Sequence, residues 1–135
     1  MPPEPPVALP NVRQAAPLFR VADMAASLAF YVDGLGFEVT NRWPEAGALR
    51  WCWLQLGGAA LMLQAGAPTP GEGVTLYFIC ADAPAIWREV VARGVAARRP
   101  FVGNGMWVTE LADPDGYRLA FESPTDAAEE SELPD

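Results

Sequence analysis

Apolar positions along the chain fall into a strand rhythm and a helix rhythm, and the sequence runs through both twice. Ala16 to Val21 reads as a strand, and Asp23 follows as an N-cap whose side chain can accept from an orphan N–H of the next turn. Ala25, Leu28, Val32 and Leu35 recur at three and four residues, which predicts a helix from about Met24 to Asp33 with a left-handed stop at Gly34. Strands are expected over Phe37–Trp43, Leu49–Leu56 and Ala59–Gln64, the last pair joined by Gly57-Gly58, a two-residue hairpin turn.

The order then repeats. Val74–Cys80 reads as a strand and Asp82 as a second N-cap. A helix follows from about Ala83 to Arg93, with Ile86, Trp87, Val90 and Val91 on its apolar face and Gly94 as its stop. Short strands are expected near Ala96–Arg99 and Gly105–Leu111. Asp113-Pro114-Asp115-Gly116 reads as a turn and Tyr117–Glu122 as the last strand. Phe19-Arg20-Val21-Ala22-Asp23 matches Phe78-Ile79-Cys80-Ala81-Asp82, each ending a strand and capping a helix. The fold class expected is α+β: tandem βαβββ modules forming curled mixed sheets. Module one spans 15–64, a Gly- and Pro-rich linker 65–73, and module two 74–124. Each module is too small to be stable alone, so the two should pack together or swap between chains. Residues 1–14 read as a Pro-rich extended or mobile arm and 125–135 as a solvated acidic tail.

Composition narrows the function. With 51% hydrophobic and 19% charged residues in 135, a packed core fits the length. No apolar stretch approaches the ~20 residues that span a bilayer. The N-terminus has neither a basic start nor an apolar run, so no secretory signal and a cytoplasmic location are expected. The net charge of -8 repels phosphate backbones, so nucleic acid is not an expected partner, and with no spanning stretch neither is a membrane. There is no histidine, which removes Ser-His and Cys-His nucleophilic chemistry and histidine-ligated zinc. Cys52 and Cys80 lie in apolar strand-like runs and read as buried free thiols.

Phe19 through Tyr31, followed by Leu35-Gly36-Phe37-Glu38-Val39, resembles the first strand and helix of the vicinal-oxygen-chelate proteins, which include glyoxalases, bleomycin-resistance proteins and extradiol dioxygenases. Leu61-Met62-Leu63-Gln64 and Asp113-Pro114-Asp115-Gly116-Tyr117 resemble that family's fourth and eighth strands. The likeness covers about Ala16 to Pro124. It implies open half-barrels with helices on the convex side and a cavity on the concave side. In metal-dependent members four strand positions carry His or Glu, and the resemblance maps them to Ala16, Gln64, Thr75 and Ala120. Two of these have no donor atom and two are neutral, so no metal and no other cofactor is expected.

Strand parity turns the mapped positions into a candidate wall. The Gly57-Gly58 turn sets Leu56 opposite Ala59, Trp53 opposite Met62 and Trp51 opposite Gln64. Trp51, Trp53, Met62 and Gln64 should then share the cavity face, with Leu18 and Arg20, while Cys52, Leu54, Leu61 and Leu63 face the helices. Thr75, Tyr77, Ile79, Arg118 and Glu122 are expected on the cavity face of module two, joined by Trp107, whose parity is open. The expected ligand-binding set is therefore Trp51, Trp53, Met62, Gln64, Thr75, Tyr77, Trp107, Arg118 and Glu122. Such a wall suits an aromatic or amphipathic organic ligand.

Three functions stay open. The first is a metal-free binding protein similar to the bleomycin-resistance type, sequestering a small molecule as in antibiotic resistance. The second is a metal-independent lyase, isomerase or hydrolase using Glu122, Tyr77 or Arg118. The third is a regulatory or interaction subunit with no small ligand. A homodimer is expected, because a half-barrel exposes an apolar face that it cannot itself cover, and the resemblance points the same way.

Overall fold

The computed structural model describes residues 9–134, so most of the Pro-rich arm lies outside the described residues. Within it, 9–11 form a single 3-10 turn. The strands are β1 Leu18–Val21, β2 Glu38–Trp43, β3 Trp51–Leu56, β4 Ala59–Ala65, β5 Thr75–Ile79, β6 Phe101–Gly103, β7 Met106–Ala112 and β8 Arg118–Pro124. The helices are α1 Met24–Leu28, which continues as a π-helical segment over Ala29–Gly34, and α2 Ala83–Ala92. The strands form two four-stranded sheets, ordered β1-β4-β3-β2 and β5-β8-β7-β6. In each the outer pair, β1 with β4 and β5 with β8, is parallel and the rest antiparallel.

Both helix starts form as the sequence dictates. Asp23 accepts from the Ala26 N–H at 3.1 Å and Asp82 from the Ala85 N–H at 3.0 Å. Gly94 takes the left-handed conformation expected of it, with φ +87°. Gly34 does not. The π turn carries the helix past it, and the left-handed residue is Gly36, at φ +89°. Gly34 is small for another reason: a Cβ there would sit 2.6 Å from Val95 Cγ2.

The Gly57-Gly58 turn delivers the expected register, with Trp51 opposite Gln64, Trp53 opposite Met62 and Leu56 opposite Ala59. Elsewhere two expectations are corrected. Residues 96–99 are not a strand; the strand is β6, and Asn104-Gly105, both at positive φ, form the β6–β7 hairpin turn. Strand β2 carries a bulge: Val39 pairs with Leu54 but Asn41 pairs with Trp53, leaving Thr40 as an extra residue.

One core joins the two halves. Val21, Cys52, Leu54, Leu61 and Leu63 of the first sheet pack with Tyr31, Leu35 and Phe37, and these meet Phe78, Leu119 and Phe121 of the second. The Phe37 and Phe78 rings meet edge-on at 6.0 Å, and Phe19 stacks on Tyr117 at 4.2 Å. The inner face of each sheet is thus buried against the helices and the other half, leaving the opposite face open. After β8 the chain turns back along β6. Val102 donates to the Ser131 carbonyl, Glu130 to the Val102 carbonyl and Leu133 to the Pro100 carbonyl, each at 2.9 Å. The tail's carboxylates are exposed, but its backbone is not free: it covers a sheet edge, and Glu129 accepts from the N–H groups of Asn104 and Gly105.

Candidate functional site

The open face of the first sheet is a ladder of cross-strand rows. One row runs Trp43, Trp51, Gln64, Arg20 from β2 to β1; the next runs Asn41, Trp53, Met62, Leu18. Trp51, Trp53 and Met62 are half-buried and Gln64 is exposed, while their strand neighbours Cys52, Leu54, Leu61 and Leu63 are fully buried. The Trp53 indole donates to Gln55 Oε1 at 2.9 Å, and the Gln55 amide donates to the Gly57 carbonyl at 3.1 Å, which fixes the ring's orientation. Trp43 was not foreseen on this wall. Unbroken alternation from Phe37 would turn it inward, and the Thr40 bulge reverses that. It is 55% exposed, and the Arg50 guanidinium lies 5.2 Å from its ring centre.

On the second sheet, Thr75, Tyr77, Ile79, Arg118 and Glu122 share the open face with Ala120 and Glu110, through the rows Ile79–Glu122–Val108, Tyr77–Ala120–Glu110 and Thr75–Arg118–Ala112. Trp107 does not join them, which corrects its expected place. It pairs with Ser123, and Ser123 Oγ accepts from the Ala83 N–H of α2 at 2.8 Å, so this row faces the helix. Trp107 accordingly packs against the core. The Asn104-Gly105 turn, which fixes the β7 register, was the signal that settles its parity.

Three cavities open around the second sheet. One of about 490 Å³ lies at the seam between the sheets, lined by Leu18, Arg20, Thr69, Thr75, Tyr117 and Arg118 among others. One of about 300 Å³ lies beside it, between Thr75, Arg118, Arg98 and Glu110. The largest, about 570 Å³, runs from the β3–β4 turn past Tyr77, Ile79 and Cys80 to α2. Trp51, Trp53, Met62 and Gln64 line none of these; they form an open wall. Cys52 is buried as expected and Cys80 only partly so, and both are free. Burial pushes both thiols up from their ordinary range, so neither is an activated nucleophile.

The positions that match the family's metal ligands do not fit a divalent ion. Ala120 presents a fully buried methyl between Tyr77 and Glu110. Gln64 and Thr75 are neutral and stand on different sheets. Among the described residues no three Cys, Asp or Glu groups gather as a metal would require.

The fold and its open faces agree with the comparisons to known proteins. The chain belongs to the glyoxalase/bleomycin resistance protein/dioxygenase superfamily, whose family model matches residues 13–121. Solved structures similar to it include TnmS3, an antibiotic-binding protein from Streptomyces sp. CB03234, at 26% identity and a TM-score of 0.67, covering 83% of this chain and 97% of that one. A glyoxalase/bleomycin resistance protein from Catenulispora acidiphila DSM 44928 is 27% identical, with a TM-score of 0.65 and coverage of 83% and 98%. A bleomycin-binding protein in complex with bleomycin shares the fold at 23% identity and a TM-score of 0.67, covering 83% and 98%. None of the curated protein sequences matches the chain. Among the described residues no helix is long and apolar enough to cross a membrane.

Proposed function

We propose that this protein binds an aromatic or amphipathic small molecule, without metal and without chemical turnover; the structures similar to it include an antibiotic-binding protein. The observation that carries the reading is the tryptophan wall: Trp43, Trp51 and Trp53 share one open face with Met62, and Cys52 and Leu54 hold the strand register behind them. Rings on a rigid sheet offer stacking area at little entropic cost. The absence of histidine and the raised thiols leave no activated nucleophile beside the wall. Binding of this type needs micromolar affinity, about -8 kcal/mol.

The same reading includes a homodimer, and a cytoplasmic location as expected from the sequence. Leu18, Trp43, Tyr77 and Ile79, at 43%, 55%, 53% and 70% exposure, all lie on the open faces. Apolar surface of this extent fits a second copy closing what one chain leaves open. The test is fluorescence titration of metal-stripped protein with a panel of antibiotics that includes bleomycin, with mass spectrometry of the recovered compounds. Saturable tryptophan quenching with unchanged compounds is expected, and light scattering should give a dimer at micromolar concentration. Stoichiometric metal in protein purified without chelator would overturn the metal-free part of the reading, and a converted compound would overturn it in favour of a metal-independent lyase, isomerase or hydrolase.

A further inference from the structure

The seam cavity has an electrostatic character at odds with the rest of the chain. The protein carries 17 carboxylates against nine arginines and no lysine. Yet the lining of this cavity includes two arginines, Arg20 and Arg118, and no acidic residue. Among the described residues neither side chain has an ion pair or hydrogen bond, whereas Arg93 pairs with Glu89 and Arg98 with Glu110. Among the described residues Arg13 and Arg88 also have no partner, but they line no part of this cavity. In a chain with carboxylates to spare, two arginines with no partner among the described residues line one cavity, and that chemistry suits an anion.

The cavity is also built rigidly. The Tyr117 hydroxyl donates to the Arg20 carbonyl at 2.7 Å and accepts from the Thr69 N–H at 3.0 Å, while its ring stacks on Phe19. One phenol thus fixes β1, the linker and the start of β8 relative to one another. The cavity borders the sheet face that carries the tryptophan wall, because Arg20 ends the row Trp43–Trp51–Gln64–Arg20. From Trp51 on β3 to Arg20 on β1 is two strand spacings, about 10 Å.

We propose that Arg20 and Arg118 receive the carboxylate of an aromatic organic acid whose ring lies on the tryptophan wall about 10 Å away. This rests on the wall being a binding surface and names the chemistry of what it binds. The probes are 1-pyrenebutanoate and its neutral partner 1-pyrenebutanol, which share a ring and tether and differ in charge. Wild-type protein should bind the acid about tenfold or more tightly than the alcohol, as for a charge-assisted contact. Arg20→Gln and Arg118→Gln should each lower acid affinity about tenfold and leave alcohol affinity and melting temperature unchanged. Arg88→Gln, which makes the same change in net charge on exposed α2, should alter neither affinity. Millimolar inorganic phosphate at constant ionic strength should not displace the acid; displacement would identify a free-anion site and overturn the linked one. Equal binding of acid and alcohol, or equal losses in Arg88→Gln, would overturn the anion site and leave the tryptophan wall standing. Failure of both compounds to bind would overturn the wall as well.

Discussion

Tyr31 and Asp113, from opposite halves of the chain, meet in the buried seam, where the phenol donates to Asp113 Oδ2 at 2.8 Å. The other carboxylate oxygen accepts from the N–H groups of Asp115 and Tyr117, at 2.9 and 2.8 Å. The turn that looks like simple Asp-Pro-Asp-Gly chemistry is thereby also a clasp between the halves. Tyr31→Phe leaves a buried carboxylate short of one donor and should cost about 1.5–3 kcal/mol in denaturant unfolding. A loss below about 0.5 kcal/mol would mean that the clasp does not hold the halves together.

Burial raises Asp113 above the ordinary carboxylate range, and its three donors pull the other way without cancelling it. The folded protein therefore binds a proton at pH values where the unfolded chain has released it. By linkage, Asp113's contribution to stability is fully present below the unfolded pKa of ~4 and is lost as pH rises through the folded pKa. Asp113→Asn removes this titration. From the unfolded pKa upward, the stability of wild type relative to Asp113→Asn should fall with rising pH and level off once pH has passed the folded pKa. Melting curves collected from pH 4 upward on both proteins check the sign; a rising difference would contradict it.

Trp53 and Leu54 are adjacent in sequence and opposite in role. Trp53→Ala should weaken ligand binding by about 2 kcal/mol at nearly constant melting temperature, as for a central aromatic anchor. Leu54, fully buried, should cost about 2–5 kcal/mol of stability when cut to alanine. Titration and unfolding on both variants separate the two. The reverse pattern would remove the wall as a binding surface.

Gly34 of the π-helical segment lies against Val95 in the chain after α2. Gly34→Ala places a methyl against Val95, whose branched side chain has little room to turn, and should cost about 1–3 kcal/mol. Val95→Ala in the same protein should recover part of that loss. A double variant no more stable than Gly34→Ala would point to the backbone rather than to the contact. The comparison needs only unfolding curves of wild type, Gly34→Ala and the double variant.

Much of the wall was legible because one short turn settles a whole register. Gly57-Gly58 allows a two-residue loop, and the loop then determines every opposing pair from Leu56–Ala59 to Trp51–Gln64. Capping by Asp23 and Asp82 was legible for the same local reason. What escaped depends on residues that break a rhythm. Thr40 shifts β2 by one and brings Trp43 to the open face, and nothing in its side chain announces that. Asn104-Gly105 did announce a hairpin, and reading it would have moved the strand from 96–99 to β6 and turned Trp107 inward. The Tyr31–Asp113 clasp and the pairing of the tail along β6 join residues distant in sequence, which no local pattern encodes.

The bulge at Thr40 has a consequence for how such a surface changes over generations. A residue that stands outside the ladder can be gained or lost without moving the pairs on either side of it. Without Thr40, Val39–Leu54 and Asn41–Trp53 would become successive pairs, and Asn41 and Trp43 would stay on the open face. Reading-frame-preserving indels at this one position therefore change the local twist of the strand while the wall keeps its side chains. The edge position makes such changes tolerable, because β2 has a partner on one side only.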